Sequence, residues 1–242
     1  MQRDDGAVDE HRRDDVLAGA TQRDHYRMPG GLAARQSLFA FVDRERSSGV
    51  PGIERLDWHA VSTVLDAGCG SGTWMRAVAR RAGARLVVGL DLSPGMLAAA
   101  RAEGAPLLVN GDVQHLPLAT SSFDAVLALW MLYHVPDPDR AVGELARVLR
   151  GDGTLLVTTN SNMPAPHEEL ATEAFEAVTG DGRWRVDLGF SAENGEEILA
   201  RTFDEVLPEP LTTAIAVPGP EPILGLIRSL RGPIEALRGP VP

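Results

Sequence analysis

The sequence predicts an α/β protein built on a doubly wound, mainly parallel sheet. Three observations carry that prediction. From residue 61 to residue 160, short apolar runs alternate with segments of helical periodicity. The first of these runs ends in a glycine-rich turn, "VLDAGCGSG", residues 64–72, placed where a strand hands over to a helix. The chain is also large enough for one such domain or a core with a cap. It has 242 residues, of which 44% are hydrophobic and 24% charged. Helices between strands supply the crossovers that parallel neighbours need, and they cover both faces of the sheet.

Taken in order, residues 1–20 are charged and small and read as a mobile arm. Residues 21–60 read as a helical cap. Its helix spans 32–46, with Leu32, Leu38, Phe39 and Val42 at near-helical spacing behind Pro29-Gly30-Gly31. The core covers 61–160. Strands are expected over Val61–Asp66, Leu86–Asp91, Leu107–Val109, Phe123–Leu129 and Leu155–Thr159, and helices over Thr73–Ala82, Pro94–Glu103 and Pro138–Leu149. The last helix stops in "RVLRGDG", with arginines in the final turn and glycine after it. Residues 161–217 carry two further helices, 167–179 and 192–202, and strand material at Phe203–Leu207 and Leu211–Val217. The tail 218–242 is rich in proline and glycine around one short apolar helix, Ile223–Leu230. No internal repeat is present.

Composition excludes several functions. The net charge is −11, so nucleic acid gains no general electrostatic attraction. All 23 basic residues are arginine, which removes Schiff-base chemistry, a lysine base and a phosphate-binding P-loop lysine. The N-terminus has no apolar signal region, no apolar run has the length of a membrane span, and Cys69 is the one cysteine. A cytoplasmic location without a membrane or nucleic-acid partner is the expectation.

The glycine turn admits three ligands in principle. A nucleoside triphosphate needs the absent lysine. A dinucleotide fingerprint would put glycine or alanine where Thr73 stands, although Gly68 and Gly70 fit its first two places. Asp66, two residues before Gly68, would repel a pyrophosphate and suits a cationic ligand. S-adenosylmethionine carries a sulfonium and an ammonium and no phosphate, and glycines let the backbone approach it closely. Asp91, about 20 residues further on, can accept hydrogen bonds from ribose hydroxyls. Asp112 closes the third strand, where an adenine amino group could reach it.

The ordered runs "VLDAGCGSG", "VVGLDLSPGML", "GDVQHLPLATSSFDAV" and "LARVLRGDGTLLVTT" resemble the class I S-adenosylmethionine-dependent methyltransferases, in particular the ubiquinone/menaquinone-type branch with its natural-product enzymes. The resemblance covers residues 61–160. It implies a Rossmann-like sheet of seven strands, whose final strand has no clear segment here. It implies that Asp66, Gly68, Cys69, Gly70 and Gly72 surround the methionine part of the cofactor. Asp91 and Leu92 would then lie at the ribose, Met96, Asp112 and Val113 at the adenine, and Leu129 and Trp130 at the methyl end. Cys69 packs in the loop rather than acting as a nucleophile.

The segment after the fourth strand, "LWMLYHVPDPDR", faces the crevice at the strand ends. His134 is the candidate base there. The alternative is that it orders its loop through a backbone contact. Tyr133 is a second catalytic candidate or pocket wall. Tyr26 and His25 form part of a lid or of a loose entry segment, and His167 reaches the acceptor or faces solvent. His11, His59 and His115 read as surface or packing residues. Where base-amine methylation uses an Asn/Asp-Pro-Pro-aromatic turn, this chain reads "LWMLY", and no metal-ligand spacing is present. The expectation is methyl transfer to the O, N or C atom of a small molecule, in secondary metabolism. The acceptor would be bound by Tyr26, Trp130, Met131, Tyr133 and His167, without a metal, in a monomer or homodimer. An NAD(P)-type oxidoreductase and a non-catalytic cofactor-binding partner protein are the rivals.

Overall fold

The computed structural model describes residues 39–43, 53–81, 85–105, 107–163, 169, 188–211, 214–219 and 221–222. The chain divides into two compact units. One comprises Met1–Ala40, Pro166–Val186 and Val217–Pro242, the other Phe41–Ala165 and Asp187–Ala216. The elements below belong to the second unit.

Its strands are β1 (Val42–Asp43), β2 (Thr63–Ala67), β3 (Leu86–Asp91), β4 (Leu108–Asn110), β5 (Phe123–Leu129), β6 (Leu149–Thr158) and β7 (Ala214–Ile215). Its helices are α1 (Thr73–Ala79), α2 (Pro94–Ala102), α3 (Pro138–Val148) and α4 (Gly195–Ala200). Five strands form one parallel sheet in the order β4-β3-β2-β5-β6. The chain runs outward from β2 to β4, then returns to the other side for β5 and β6. The direction of winding reverses between β2 and β5, which opens a crevice beyond their carboxyl ends.

The central strands are apolar on both faces because both faces are covered. Val64, Val87, Ala125 and Leu127 pack with Met75 and Val78 of α1 and Leu97 and Ala100 of α2. Leu65, Val88, Leu90 and Val126 pack with Ala141, Val142, Leu145 and Val148 of α3 and Ile198 of α4. Helix starts are encoded locally. The Ser93 side chain accepts the Met96 amide at the start of α2, and Asp137 accepts that of Arg140 at the start of α3. Both α2 and α3 have proline in the first turn.

The amino ends of the strands are tied together by Asp124. Its Oδ2 accepts the amide and hydroxyl of Ser62, at 2.9 Å each, and the amide and hydroxyl of Thr63, at 2.8 Å each, while Oδ1 is paired with Arg150. These donors hold the Asp124 carboxyl far below the usual carboxylate range against the opposing effect of burial.

Beyond β6, a second set of bonds fastens the chain to the start of α4. Ala192 N donates to Asn160 O at 2.9 Å, and the Thr159 hydroxyl donates to Phe190 O at 3.1 Å. Glu193 accepts from Asn162 N at 2.9 Å and from the Ser161 hydroxyl.

Three expectations are corrected. The described part of the 32–46 helix, residues 39–43, is a 3-10 turn, Phe39–Phe41, followed by β1, which pairs antiparallel with β7. β6 begins at Leu149 rather than Leu155. Leu149 pairs with Phe123, the chain bulges across Arg150–Gly153, and pairing resumes at Thr154 with Ala125. Residues 203–207 form no strand, and the described strand material of 211–217, β7, pairs with β1 outside the main sheet. Pro208 and Pro210 follow at once, and neither has an amide to donate to a ladder. Among the described residues the parallel sheet therefore has five strands. The 1–20 arm, helix 167–179 and the apolar helix of the tail lie outside the described residues.

Candidate active site

Strand register places the candidate residues in two rows on the face covered by α1 and α2. Asp66 pairs with Gly89 on one side and Leu127 on the other, and Leu127 pairs with Leu156. Partners in parallel strands point to the same face. One row is therefore Gly89, Asp66, Leu127 and Leu156. Two residues further along each strand stand Asp91, Gly68, Leu129 and Thr158, the last two paired directly. This second row is the rim of the crevice.

The glycine turn joins β2 to α1. Gly68, Gly70 and Gly72 have φ of 71°, 54° and 77°, a region that side-chain-bearing residues rarely adopt. The turn is anchored to β3 because the amides of Gly68 and Cys69 both donate to Leu90 O, at 2.7 and 2.9 Å. Its middle is held by Asp91, whose Oδ2 accepts the Gly70 amide at 2.8 Å and whose Oδ1 accepts that of Ser93, also at 2.8 Å. A Cβ at Gly70 would meet open space, so the backbone here is free to be approached. A Cβ at Gly68 would lie 2.7 Å from Met131 Cβ, so Met131 packs on the turn itself. At Gly89 a Cβ would lie 2.3 Å from Met75 Sδ and 2.9 Å from Cys69 Sγ. The glycine in β3 thus lets the turn lie flat on the sheet.

Asp66 is 1% exposed, and its Oδ2 has no hydrogen-bond partner. Burial first, and then the nearby Asp91 charge, push its pKa from 3.8 to about 7, while the Met75 amide at the start of α1 pulls the other way. Burial also raises Asp91, against the Ser93 and Gly70 amides. Cys69 is buried, and burial and the two carboxylates push its thiol far above the ordinary range. Its side chain packs among the apolar residues on the α1 and α2 side of the sheet.

The remaining residues divide by setting. Leu92 is an exposed apolar side chain, 57% accessible, next to Asp91, whereas Met96 is buried. The Asp112 carboxylate accepts the Gln114 amide at 2.9 Å and its side-chain amide at 3.1 Å, so it caps the short turn Val113–His115. The Val113 side chain is buried in the core on the α3 side, which leaves its main chain for any ligand. Leu129 is buried, and Trp130 stacks on Trp74 of α1 with centroids 5.7 Å apart. Trp130 has φ of 53°, a strained value for a bulky residue, held by the hydrogen bond that its amide donates to Thr158 O at 2.9 Å.

Tyr133 and His134 share the 3-10 turn Leu132–His134, with their rings edge to face at 4.2 Å. Both ring nitrogens of His134 are shielded from solvent. His59 and His115 are exposed. His11, His25, Tyr26 and His167 lie outside the described residues. Trp74 and Thr158 were not singled out by the sequence. The pleat of β6 was the one available signal, since it puts Thr158 on the same face as Leu156. Among the described residues no helix is long and apolar enough to cross a membrane, and no group of His, Cys, Asp and Glu could hold a metal ion.

Comparison with known proteins follows the same segment. Residues 65–157 match the model of a methyltransferase domain. The chain is 41% identical over 111 residues to methyltransferase GfsG of Streptomyces halstedii, covering 43% of this chain and 40% of the relative. It is 38% identical over 151 residues to the demethylmenaquinone methyltransferase of Thermobifida fusca (strain YX), covering 59% and 63%. The match therefore spans less than two thirds of either relative's length. A solved S-adenosylmethionine-dependent methyltransferase from Mesorhizobium loti is 31% identical, with 45% of this chain and 51% of that one covered and a TM-score of 0.42.

Proposed function

From the match of residues 65–157 to a methyltransferase domain we propose that the chain is a class I S-adenosylmethionine-dependent methyltransferase that transfers a methyl group to a small-molecule acceptor. The observation that carries the proposal is Asp66, a buried carboxylate with an unpartnered oxygen beside a glycine turn open at Gly70. An unpaired buried acid fits a cationic ligand and opposes a pyrophosphate. When bound, S-adenosylmethionine supplies a sulfonium-activated methyl group and presents no phosphate to the turn. On this reading Asp66 faces its positive charge, and the Gly68–Gly72 backbone, Cys69 included, lies along its methionine part. Asp91 accepts from the ribose with lone pairs that its two amide bonds leave free, and Leu92 covers the sugar. Met96, Asp112 and the Val113 main chain lie at the adenine.

The acceptor lies beyond β5, against Trp130, Met131 and Tyr133, with Leu129 at the methyl end of the cofactor. Transfer is an in-line displacement, so these residues mainly orient the acceptor and exclude water. His134 takes the acceptor's proton where that proton is held too tightly to leave unaided. A role in secondary metabolism, action without a metal, a cytoplasmic setting and a monomeric or homodimeric state complete the proposal.

Titration calorimetry with S-adenosylmethionine, S-adenosylhomocysteine and NAD tests the cofactor. Binding of the first two and not the third is expected, and binding of NAD alone would overturn the reading. Turnover of radiolabelled S-adenosylmethionine on a panel of phenols, catechols and amines tests the chemistry and separates an enzyme from a binding protein. With any acceptor found, His134→Ala should lose roughly a hundredfold in rate at unchanged S-adenosylhomocysteine affinity. Equal rates would assign His134 to loop order.

A further inference from the structure

The sheet turns two halves of one face toward the crevice. The β2–β3 half holds the glycine turn, Asp66 and Asp91, all assigned above to the cofactor. In the β5–β6 half Leu129 and Thr158 stand at the rim, with Leu127 and Leu156 one row deeper and Trp130 following β5. None of these side chains is charged.

Thr158 stands out among them. It is 7% exposed, and its Oγ1 has no hydrogen-bond partner. A buried hydroxyl left unpaired costs stability that a valine of the same shape would avoid. The main chain at the same position is fully used, because Thr158 O accepts the Trp130 amide that holds the strained tryptophan in place. Through its main chain the residue thus fixes Trp130, whose ring stacks on Trp74, at the same strand end that carries one unsatisfied hydroxyl.

We propose that the Thr158 hydroxyl binds the methyl acceptor, exchanging a hydrogen bond with the hydroxyl of a neutral, planar molecule laid against Trp130. This rests on the methyltransferase reading and adds to it a specificity-determining residue and an acceptor class. Neutrality follows from the uncharged β5–β6 rim. Planarity follows from a tryptophan whose ring is fixed both by its backbone and by a stacked neighbour.

The test uses 2-naphthol as a probe on the full chain saturated with S-adenosylhomocysteine, with affinity read by calorimetry. Thr158→Val should weaken 2-naphthol about tenfold. Thr158→Ser, which keeps the hydroxyl, should stay within about threefold of wild type. Both variants should bind S-adenosylhomocysteine as wild type does, and Thr158→Val should melt at the same or a higher temperature. An unchanged 2-naphthol affinity in Thr158→Val, or a lower melting temperature, would overturn the proposal and make the hydroxyl structural. Weakened S-adenosylhomocysteine would move Thr158 to the cofactor and overturn it equally. If wild type binds S-adenosylhomocysteine but not 2-naphthol, the acceptor class is wrong. If it binds neither, the methyltransferase reading itself fails.

Discussion

Asp66 has opposite effects on the empty protein and on the loaded one. Its carboxyl titrates at about 7 in the fold against 3.8 unfolded. Between those values the folded chain holds a proton that the unfolded chain has lost. This group's contribution to stability is therefore full below about pH 3.8 and disappears as the pH rises through 7, a change on the order of 4 kcal/mol. A cationic ligand reverses the preference, because it binds the ionised form and releases the proton. Relative to Asp66→Asn, the affinity of wild type for S-adenosylmethionine should rise about tenfold between pH 6 and pH 8. Calorimetry in two buffers of different ionisation enthalpy should register the released proton, and parallel pH profiles for wild type and variant would show that Asp66 does not face the cation. The sequence singled this residue out because an acid ahead of a glycine turn bears on the charge a ligand could carry, and the structure shows it buried with an unpartnered oxygen. Asp91 was legible by spacing. Thr158 was not, because whether a threonine hydroxyl is satisfied depends on neighbours that only strand register brings to it.

Elements were legible where one rule governed them. β2, β3 and β5 lie close to their expected bounds because continuous apolar runs bounded by glycine or acidic residues admit no other covered arrangement. α2 and α3 start where serine or aspartate and then proline announce them. Expectation failed where two rules met. "RVLRGDG" carries a good helix stop, but Leu149 within it is also a buried strand residue, and pairing with Phe123 starts the strand before the glycines. The arginine and glycines that signal the end of a helix became the bulge of β6. At Phe39–Asp43, the periodicity suited a helix, yet the chain turns once and pairs Val42 with Ile215. That pairing partner lies more than 170 residues away, and no local pattern can announce it. The lower end of the sheet was equally silent. Nothing in "SFDAV" says that Asp124 will gather Ser62, Thr63 and Arg150.

The two ends of the sheet divide the work of the molecule. At the carboxyl ends polar atoms are left unsatisfied, Asp66 Oδ2 and Thr158 Oγ1, where a ligand can use them. At the amino ends Asp124 is saturated, with four donors on one oxygen and Arg150 on the other. Five residue steps along β5 separate Asp124 from Leu129 at the crevice, roughly 16 Å of strand. A change at one end should therefore leave the other intact. Asp124→Asn keeps the shape but loses the charge and turns a donor toward groups that already donate. It should cost about 2 kcal/mol and lower the melting temperature by about 4–8 °C. The depressed titration of Asp124 means that its contribution is present above the ordinary carboxylate range and is lost as the pH falls toward and below it, so the gap between wild type and variant should close in acid. S-adenosylhomocysteine affinity at 25 °C should not change, in contrast to Thr158→Val, which alters acceptor binding without lowering stability. A melting temperature unaffected by Asp124→Asn would remove the clamp from the account of stability. A loss of cofactor affinity would mean that strain at the amino ends reaches the crevice, and that the sheet does not isolate the site from the clamp beneath it.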